Sequence, residues 1–355
     1  MAWTKQRRAL GAVVVGGALL LGACASKPLA PFSESAPPAV LATIEAAGIR
    51  DLRASYRAAV CSRLPDAGPS CDEVLLRLPG ETPPAAPKPP ADDLSKRYRI
   101  AFVPGFFSEC FDQFARPFSD SQRALEAEGF EVDYVRVSGR GTSASNAKRL
   151  AERIAALNGD PRPIILFAHS KGLPDTLEML VRHPNEAARI AAVVSFAGAA
   201  NGSALADDLQ SVYRDWGAAF PLPGCDAGTG EEIHDVRRDV RLEWWRTNGR
   251  DVKVPVFALV AAPRPDRVSP GTRTTYDRLA LVDPRNDGTL LWQDQLVASG
   301  FLLGYANADH WAIAIPVSEV LPYIAFMFRD GVPRPALVRA AIAVVAATLE
   351  SGNTK

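Results

Sequence analysis

PIILFAHSKG, residues 163–172, joins an apolar run of strand length to a tight turn around Ser170. Residues 173–182 continue with helical character and end before Pro184. A buried strand that enters a small-x-Ser-x-Gly turn and then a helix is typical of a nucleophile elbow, which holds a serine on a sharp bend. The small residues flanking the serine let the strand and the helix pass close together. The sequence therefore predicts that Ser170 is a nucleophile.

The chain around this turn alternates between apolar runs of strand length and helical segments. The predicted strands are residues 99–103, 132–137, 164–168, 190–196 and 254–260. The predicted helices include residues 119–128, 143–157 and 173–182. Near-continuous apolar strands are typical of sheets buried on both faces, and their alternation with helices favours parallel strands. We therefore predict an α/β fold with a mostly parallel central sheet and helices on both faces.

The predicted domain organisation places an N-terminal segment before one large domain. Residues 1–24 form a signal peptide, and residues 25–95 a tether, a helical appendage and a linker. Six prolines between positions 79 and 90 indicate the linker. The main domain covers residues 96–335, with a cap insertion at about 200–251, where the strand–helix alternation stops. Residues 336–355 form a C-terminal helix and tail.

The N-terminus has the features of an export signal. Basic residues between Lys5 and Arg8 precede an apolar run, residues 9–21, that is too short to span a bilayer comfortably. The next residues, LGAC at 21–24, resemble the lipobox of bacterial lipoproteins, and an ordinary secretory signal is the alternative. The resemblance implies a diacylated Cys24 that anchors the protein to a membrane. We expect a cell-envelope location, facing the periplasm from the outer membrane in a Gram-negative cell.

Four cysteines remain after Cys24, namely Cys61, Cys71, Cys110 and Cys225. An even number in an exported protein favours disulfides, although four cysteines allow three pairings. A Cys61–Cys71 bond would close a short loop, and a Cys110–Cys225 bond would tie an active-site loop to the insertion. Free buried thiols are the alternative. The cysteine and histidine spacing shows no metal site.

The base that activates Ser170 is found by elimination among four histidines. His169 lies inside the elbow and is expected to pack away from the serine. His183 precedes a proline at a helix end, and His234 lies too early, in the insertion. His310 follows the last apolar run, as the serine–acid–histidine order of an elbow protein requires. His310 is therefore the predicted base, with a purely structural histidine as the alternative.

The acid that orients the base should precede His310 on a loop after a strand. Asp266, Asp283 and Asp287 are the candidates. Asp287 is favoured because it lies in a turn sequence, NDG at residues 286–288, that presents its carboxylate rigidly. Asp266 follows the preceding strand and is the second choice.

An oxyanion hole requires two backbone N–H groups beside the serine. The residue after the nucleophile, Lys171, supplies one. The loop after the first strand, PGFF at residues 104–107, should supply the other, and Phe106 is the predicted donor. The Lys171 side chain is expected to be solvated, and an attraction for anionic head groups is the alternative.

These segments together resemble the α/β-hydrolase superfamily, and its lipases and esterases in particular. The matching segments are VPGF (103–106), AHSKG (168–172), VSFAG (194–198), NDG (286–288) and DH (309–310). The resemblance covers residues 97–330, and it departs from the commoner pattern where Ala168 replaces the first glycine. It implies two-step acyl transfer from a small-molecule or lipid ester through Ser170, Asp287 and His310, without a cofactor. An acyltransferase with the same triad, or a non-catalytic envelope lipoprotein, are the alternatives.

Composition limits the possible partners. The chain has 355 residues, of which 47% are hydrophobic and 23% charged, so it is globular rather than disordered. Its 40 basic and 40 acidic residues balance, and no clustered basic surface indicates a nucleic-acid partner.

Overall fold

The computed structural model describes residues 47–77, 81, 93–111, 116–157, 159–218, 224–320 and 322–352. The signal peptide, Cys24, the tether and most of the proline-rich linker lie outside the described residues, as do Phe220 and residues 221–223 of the predicted cap.

The described residues contain one eight-stranded sheet. Its strands are β1 (Arg50–Asp51), β2 (Leu75–Leu76), β3 (Arg99–Val103), β4 (Val132–Tyr134), β5 (Ile164–His169), β6 (Ile190–Phe196), β7 (Val256–Ala261) and β8 (Phe301–Ala306). The strand order is β1-β8-β7-β6-β5-β3-β4, every neighbouring pair in it is parallel, and β2 joins β8 in antiparallel fashion. The predicted α/β class with a mostly parallel sheet is therefore confirmed.

Helices surround this sheet. They are α1 (Arg53–Cys61), α2 (Cys71–Val74), α3 (Leu94–Arg97), α4 (Ser108–Phe111), α5 (Ser119–Ala127), α6 (Ser143–Ala155), α7 (Gly172–Arg182), α8 (Pro184–Ala187), α9 (Ala204–Val212), α10 (Glu231–His234), α11 (Arg238–Asn248), α12 (Arg273–Leu279), α13 (Val317–Val320) and α14 (Arg334–Gly352). Every residue of β5, β7 and β8 is buried. Burial on both faces explains why these strands are almost entirely apolar instead of alternating.

The N-terminal segment is part of the main fold, which corrects the prediction of a separate helical appendage. The longest helix in the described part of the predicted appendage is α1. Strands β1 and β2 both pair with β8. Tyr56 of α1 is fully buried in the largest core cluster and donates a hydrogen bond to the Leu337 carbonyl of α14, at 3.0 Å. The apolar face of α1 is therefore buried against the sheet and the last helix.

The C-terminal helix is also a core element. Of the described helices, only α14 is long and apolar enough to cross a membrane. Leu337, Val338 and Val345 of α14 are fully buried in the largest core cluster. Arg334 pairs at 2.7 Å with Asp120 of α5. Helix α14 is therefore apolar because it packs inside the protein.

The insertion after β6 folds over the side of the sheet that carries α7. It contains α9, a π-helical turn (Tyr213–Gly217), α10 and α11. Trp245 of α11 donates to the Ala200 carbonyl at 2.8 Å, and Trp244 donates to Glu178 of α7 at 2.5 Å. The helix that follows the serine turn thus supports the insertion.

Two disulfides link the described residues. Cys61–Cys71 joins the end of α1 to the start of α2. Cys110–Cys225 joins α4 to the insertion, across a separation of 115 residues. This is the pairing considered from the sequence, and it connects the loop after β3 to the insertion.

Candidate active site

Ser170 stands on a strained turn between β5 and α7. Its φ is +56°, in the left-handed region that non-glycine residues rarely adopt. A Cβ atom at Gly172 would lie 2.6 Å from the carbonyl oxygens of Val103 and Pro104. A Cβ atom at Gly105 would lie 2.5 Å from the Cβ atom of Ser170. Only glycine fits at these two positions, which lets the loop after β3 approach the serine turn closely.

The structure brings Ser170, His310 and Asp287 together in a hydrogen-bonded series. The His310 Nε2 atom is 2.8 Å from the Ser170 Oγ atom, and its Nδ1 atom is 2.7 Å from the Asp287 Oδ2 atom. When Nδ1–H donates to the carboxylate, Nε2 is left to accept the serine proton. This geometry suits a nucleophile, its base and an orienting acid.

The Asp287 carboxylate is held in one orientation by several donors. Its Oδ1 atom accepts hydrogen bonds from the Thr289 and Leu290 N–H groups at 2.8 and 2.6 Å, and Gln295 donates to Oδ2 at 3.3 Å. The side chain is 0% exposed. The turn expected from the NDG sequence therefore supplies the donors that hold the Asp287 carboxylate.

The other two candidate acids lie elsewhere. Asp283 pairs with Arg285 at 2.7 Å and accepts a hydrogen bond from Trp292 at 3.2 Å. Asp266 lines a cavity of about 210 Å³ together with Arg264 and other residues. Within the described part of the chain, neither carboxylate makes a hydrogen bond to His310.

The loop that carries His310 is held by a second buried aspartate. The Asp309 carboxylate accepts hydrogen bonds from the N–H groups of Ser269, Trp311 and Ala312, at 2.8, 3.1 and 2.9 Å. The His310 N–H also donates to the Asp287 carbonyl at 2.9 Å. Asp309 was not singled out from the sequence as a functional residue, although it directly precedes the predicted base.

His169 has a polar role that the sequence did not predict. Its Nε2 atom is 2.8 Å from the His310 carbonyl oxygen, so Nε2–H is the donor. Burial, and then the neighbouring His310, lower the pKa of His169 to about 3, so the ring is neutral. His169, which was expected to be a packing residue, is thus also a hydrogen-bond donor to the main chain of His310. The sequence feature that could have indicated this role is a polar side chain at the end of an otherwise apolar strand.

The predicted oxyanion donors lie on the two segments that meet at Ser170. A Cβ at Gly105 would lie 3.1 Å from the Lys171 nitrogen, so the loop after β3 touches the start of α7. The Phe107 N–H donates to the Gly139 carbonyl at 2.8 Å. In the described residues, the N–H groups of Phe106 and Lys171 donate no hydrogen bond. Both are therefore available to a substrate oxygen.

The Lys171 side chain is buried, which corrects the expectation that it is solvated. It is 2% exposed, and its Nζ atom lies 2.6 Å from the Oδ1 atom of Asp175, one turn further along α7. Asp175 also accepts a hydrogen bond from Asn146 of α6 at 2.7 Å, so the lysine side chain lies on the side of α7 that faces α6. Burial raises the pKa of Asp175, and the charge of Lys171 opposes that effect.

An aromatic side chain of the insertion lies beside the loop after β3, residues 104–107, which carries the predicted donor Phe106 and is called the oxyanion loop below. The Tyr213 ring is 5.6 Å from that of Phe106, which in turn is 4.1 Å from that of Phe107. The Tyr213 hydroxyl donates to the buried Glu232 at 2.8 Å. Burial, followed by this hydrogen bond, raises the pKa of Tyr213 to about 12. The sequence did not identify Tyr213, because its position depends on how the insertion folds.

No group of three or more His, Cys, Asp or Glu side chains is placed to hold a metal ion in the part of the chain that the structure describes.

Solved structures of ester-cleaving enzymes are similar to this chain. The metagenomic carboxyl esterase MGS0156 is 33% identical, with a TM-score of 0.81, over 88% of this chain and 100% of its own. The mature form of Bacillus licheniformis lipase BlEst2 is 18% identical, with a TM-score of 0.51, over 69% of this chain and 94% of its own. The likeness to this lipase shows the fold alone. No protein-family model and no curated protein matches the sequence.

Proposed function

This chain belongs to the α/β-hydrolase superfamily and acts on ester bonds, and we propose that it cleaves carboxylic esters through a Ser170–His310–Asp287 triad and an acyl-enzyme. The observation that carries the proposal is the hydrogen-bonded series from Ser170 through His310 to Asp287, with contacts of 2.8 and 2.7 Å. Ser170 itself lies on the turn between β5 and α7.

The first half of the proposed reaction acylates the enzyme. The Ser170 Oγ atom attacks the ester carbonyl carbon while its proton passes to His310 Nε2. The carbonyl oxygen becomes an oxyanion, which accepts hydrogen bonds from the Phe106 and Lys171 N–H groups. The tetrahedral intermediate then breaks its bond to the alkoxy oxygen, which takes the proton from His310 and leaves as an alcohol.

The second half releases the acid. A water molecule attacks the acyl-enzyme carbonyl and gives its proton to His310. The second tetrahedral intermediate breaks its bond to Ser170 Oγ, which recovers the proton and regenerates the free serine. Throughout both halves Asp287 holds the Nδ1–H tautomer and stabilises the imidazolium as it forms.

Apolar side chains around the site favour an ester with an apolar acyl group. Phe106, Phe107 and Tyr213 lie together at the oxyanion loop. Trp311, which follows His310 in the chain, is 39% exposed. Such side chains offer apolar contact to a substrate at the protein surface.

Membrane anchoring through Cys24 forms the second part of the proposal, and the LGAC segment supports it. We expect the wild-type protein to incorporate labelled palmitate and to fractionate with membranes. Cys24→Ser should incorporate none and should lose the membrane association. A variant that stays with the membrane without the label would contradict lipid anchoring.

A fluorophosphonate probe and a panel of p-nitrophenyl esters test the proposed chemistry. The wild type should be labelled and should hydrolyse the esters, whereas Ser170→Ala should lose both properties. Ser145→Ala, at an exposed serine of α6, is the matched control and should retain both. A folded wild-type protein that neither reacts with the probe nor cleaves any ester would overturn the proposal.

A further inference from the structure

The two proposed oxyanion donors belong to different parts of the fold. The Lys171 N–H lies at the start of α7, and the Phe106 N–H lies on the loop after β3. Donors stabilise an oxyanion only when both point to one spot at hydrogen-bonding distance. The relative position of these two segments is therefore a requirement of the proposed function, on which this inference rests.

A buried polar contact begins at the first donor residue. The Lys171 Nζ atom donates to the Asp175 Oδ1 atom at 2.6 Å, and the two side chains are 2% and 1% exposed. The other carboxylate oxygen of Asp175 accepts a hydrogen bond from the Asn146 Nδ2 atom of α6, at 2.7 Å. The side chain of the first donor residue is thus connected to the neighbouring helix.

Asn146 also makes hydrogen bonds to the loop between β4 and α6. Its Oδ1 atom accepts a hydrogen bond from the Ser138 N–H, and its Nδ2 atom donates to the Ser138 carbonyl, both at 2.9 Å. The Asn146 side chain is fully buried. It therefore holds both backbone polar groups of Ser138 while it also holds Asp175.

The next residue of this loop contacts the second donor segment. The Gly139 carbonyl accepts the Phe107 N–H at 2.8 Å, and the Gly139 N–H donates to Glu109 at 3.0 Å. Phe107 has a φ of +60°, an unusual conformation for which a fixed backbone partner is needed. Its peptide group directly follows Phe106. The contacts therefore run without a gap from Lys171 to the neighbour of the second donor.

We propose that this buried polar chain sets the separation of the two oxyanion donors, and that Lys171, Asp175 and Asn146 are positioning residues of the reaction. A buried ion pair contributes little net stability, because the two charges lose their hydration. A lysine directly after the nucleophile therefore has a clearer physical reason as part of a positioning device. The side chain acts through the backbone and does not touch the substrate.

Two substitutions at opposite ends of the chain of contacts test this inference. Lys171→Met removes the charge and keeps the length of the side chain, and Asn146→Ala removes the link to Ser138. Each should lower kcat roughly 10- to 100-fold, with KM changed less than about twofold, because small displacements in an active site have effects of this size. The inhibition constant of an alkyl boronic acid, which forms a tetrahedral adduct with the serine, should rise in parallel with the loss of kcat/KM.

The combination of both substitutions gives the sharper result. If the two residues act through one chain of contacts, the double variant should lose about as much kcat as the worse single variant. If the fold loss of kcat in the double variant equals the product of the two single losses, the two residues act independently and the shared mechanism is overturned. The shape of the pH profile of kcat/KM should stay the same, because the triad is untouched.

A matched control separates positioning from loss of stability. Asp133→Asn removes the charge of another buried carboxylate, which lies on β4 and pairs with Arg99 of β3 at 2.8 Å. This variant should have a lower melting temperature and a kcat within about twofold of wild type. An equal loss of kcat in this control would overturn the inference. If Lys171→Met does not fold, Lys171→Met with Asp175→Asn leaves no unpaired charge and should show the same kcat loss.

Failure of this inference is distinguishable from failure of the proposed function. If the wild type is active and requires Ser170, but Lys171→Met and Asn146→Ala keep full kcat, only the positioning role is wrong. If Ser170→Ala retains wild-type ester hydrolysis, the proposed function itself is wrong, and the positioning role with it.

Discussion

Ser170 and Asp287 make no direct hydrogen bond, and His310 connects them through its two ring nitrogens. The sequence predicted a triad of these three residues from the serine turn, the order of the partners and the turn chemistry around Asp287, and the structure brings their side chains into contact. It favoured Asp287 over Asp266 on turn chemistry alone, because both aspartates lie between β7 and His310 in the chain. The distinction depends on which carboxylate lies against the imidazole, and this is a property of the folded chain.

Substitution of the acid should show which aspartate serves His310. We expect Asp287→Asn to lower kcat by about 10⁴-fold with little effect on KM, because an amide at this position favours the wrong histidine tautomer. Asp266→Ala should leave kcat within about twofold of wild type. Steady-state kinetics with one p-nitrophenyl ester measures both. The reverse pattern, with activity dependent on Asp266, would show that the acid is wrongly assigned.

His169 should support the base through the carbonyl of His310. His169→Phe keeps a ring but leaves that buried carbonyl without its donor, which costs about 1–3 kcal/mol in the free energy of unfolding. We also expect kcat to fall about tenfold as the His310 loop shifts.

His169→Gln places an N–H near the original donor and should recover most of both losses. His234→Phe, at a partly exposed histidine outside the triad, serves as the control and should change neither quantity. Urea unfolding and kcat together provide the measurement. Equal behaviour of the Phe and Gln variants would argue against the hydrogen bond.

At the level of elements, regular strands and helices were easier to predict than short ones. Helix α5 was expected at residues 119–128 and is found at Ser119–Ala127. Strands β1 and β2 have two residues each and carry no pattern that distinguishes them from a loop. Their pairing with β8 is decided by contacts more than 200 residues apart, so the predicted appendage is wrong for a physical reason.

The Cys110–Cys225 disulfide should matter for both stability and rate. It ties α4, which follows the oxyanion loop, to the insertion. Replacing both cysteines by serine should lower the free energy of unfolding by about 2–5 kcal/mol, because the bond closes a long loop. We expect kcat to fall as well, since Phe106 lies on the adjoining loop.

The Cys61→Ser and Cys71→Ser pair provides the comparison. That bond spans only 10 residues, so its loss should destabilise the protein less and should leave kcat near the wild-type value. Thermal melting and ester hydrolysis of the two double variants measure both effects. A larger kcat loss in the Cys61 and Cys71 variant would contradict the link between the insertion and the oxyanion loop.

For the molecule as a whole, a buried carboxylate should make stability depend on pH. Asp294 is 2% exposed and lies 3.3 Å from Arg238 of α11. Burial raises its pKa to about 7, opposed by the charge of Arg238. Between about pH 4 and pH 7 the folded state therefore binds a proton that the unfolded state releases. The contribution of Asp294 to stability consequently falls as the pH rises through this range.

Asp294→Asn removes this titration. The stability of the variant relative to wild type should increase from pH 4.5 to pH 7.5, by about 1–3 kcal/mol. Urea unfolding of both proteins at several pH values measures the difference between their free energies of unfolding. The other titrating groups are present in both proteins, so their effects cancel in this difference. A difference that is constant or decreases with pH would contradict the proposed protonation.

Local patterns in the amino-acid sequence were sufficient for the α/β class and the serine turn, and they narrowed the predicted partners of Ser170 to His310 and three candidate aspartates. Strand burial, residue size at a tight turn and chain order are properties of short segments, so they can be recognised without the fold. Packing decided the rest, including the choice among the aspartates, the burial of Lys171 and the joining of the N-terminal strands to β8. These features depend on side chains that are distant in the chain and adjacent in space, and their charges are stabilised only by partners that folding supplies.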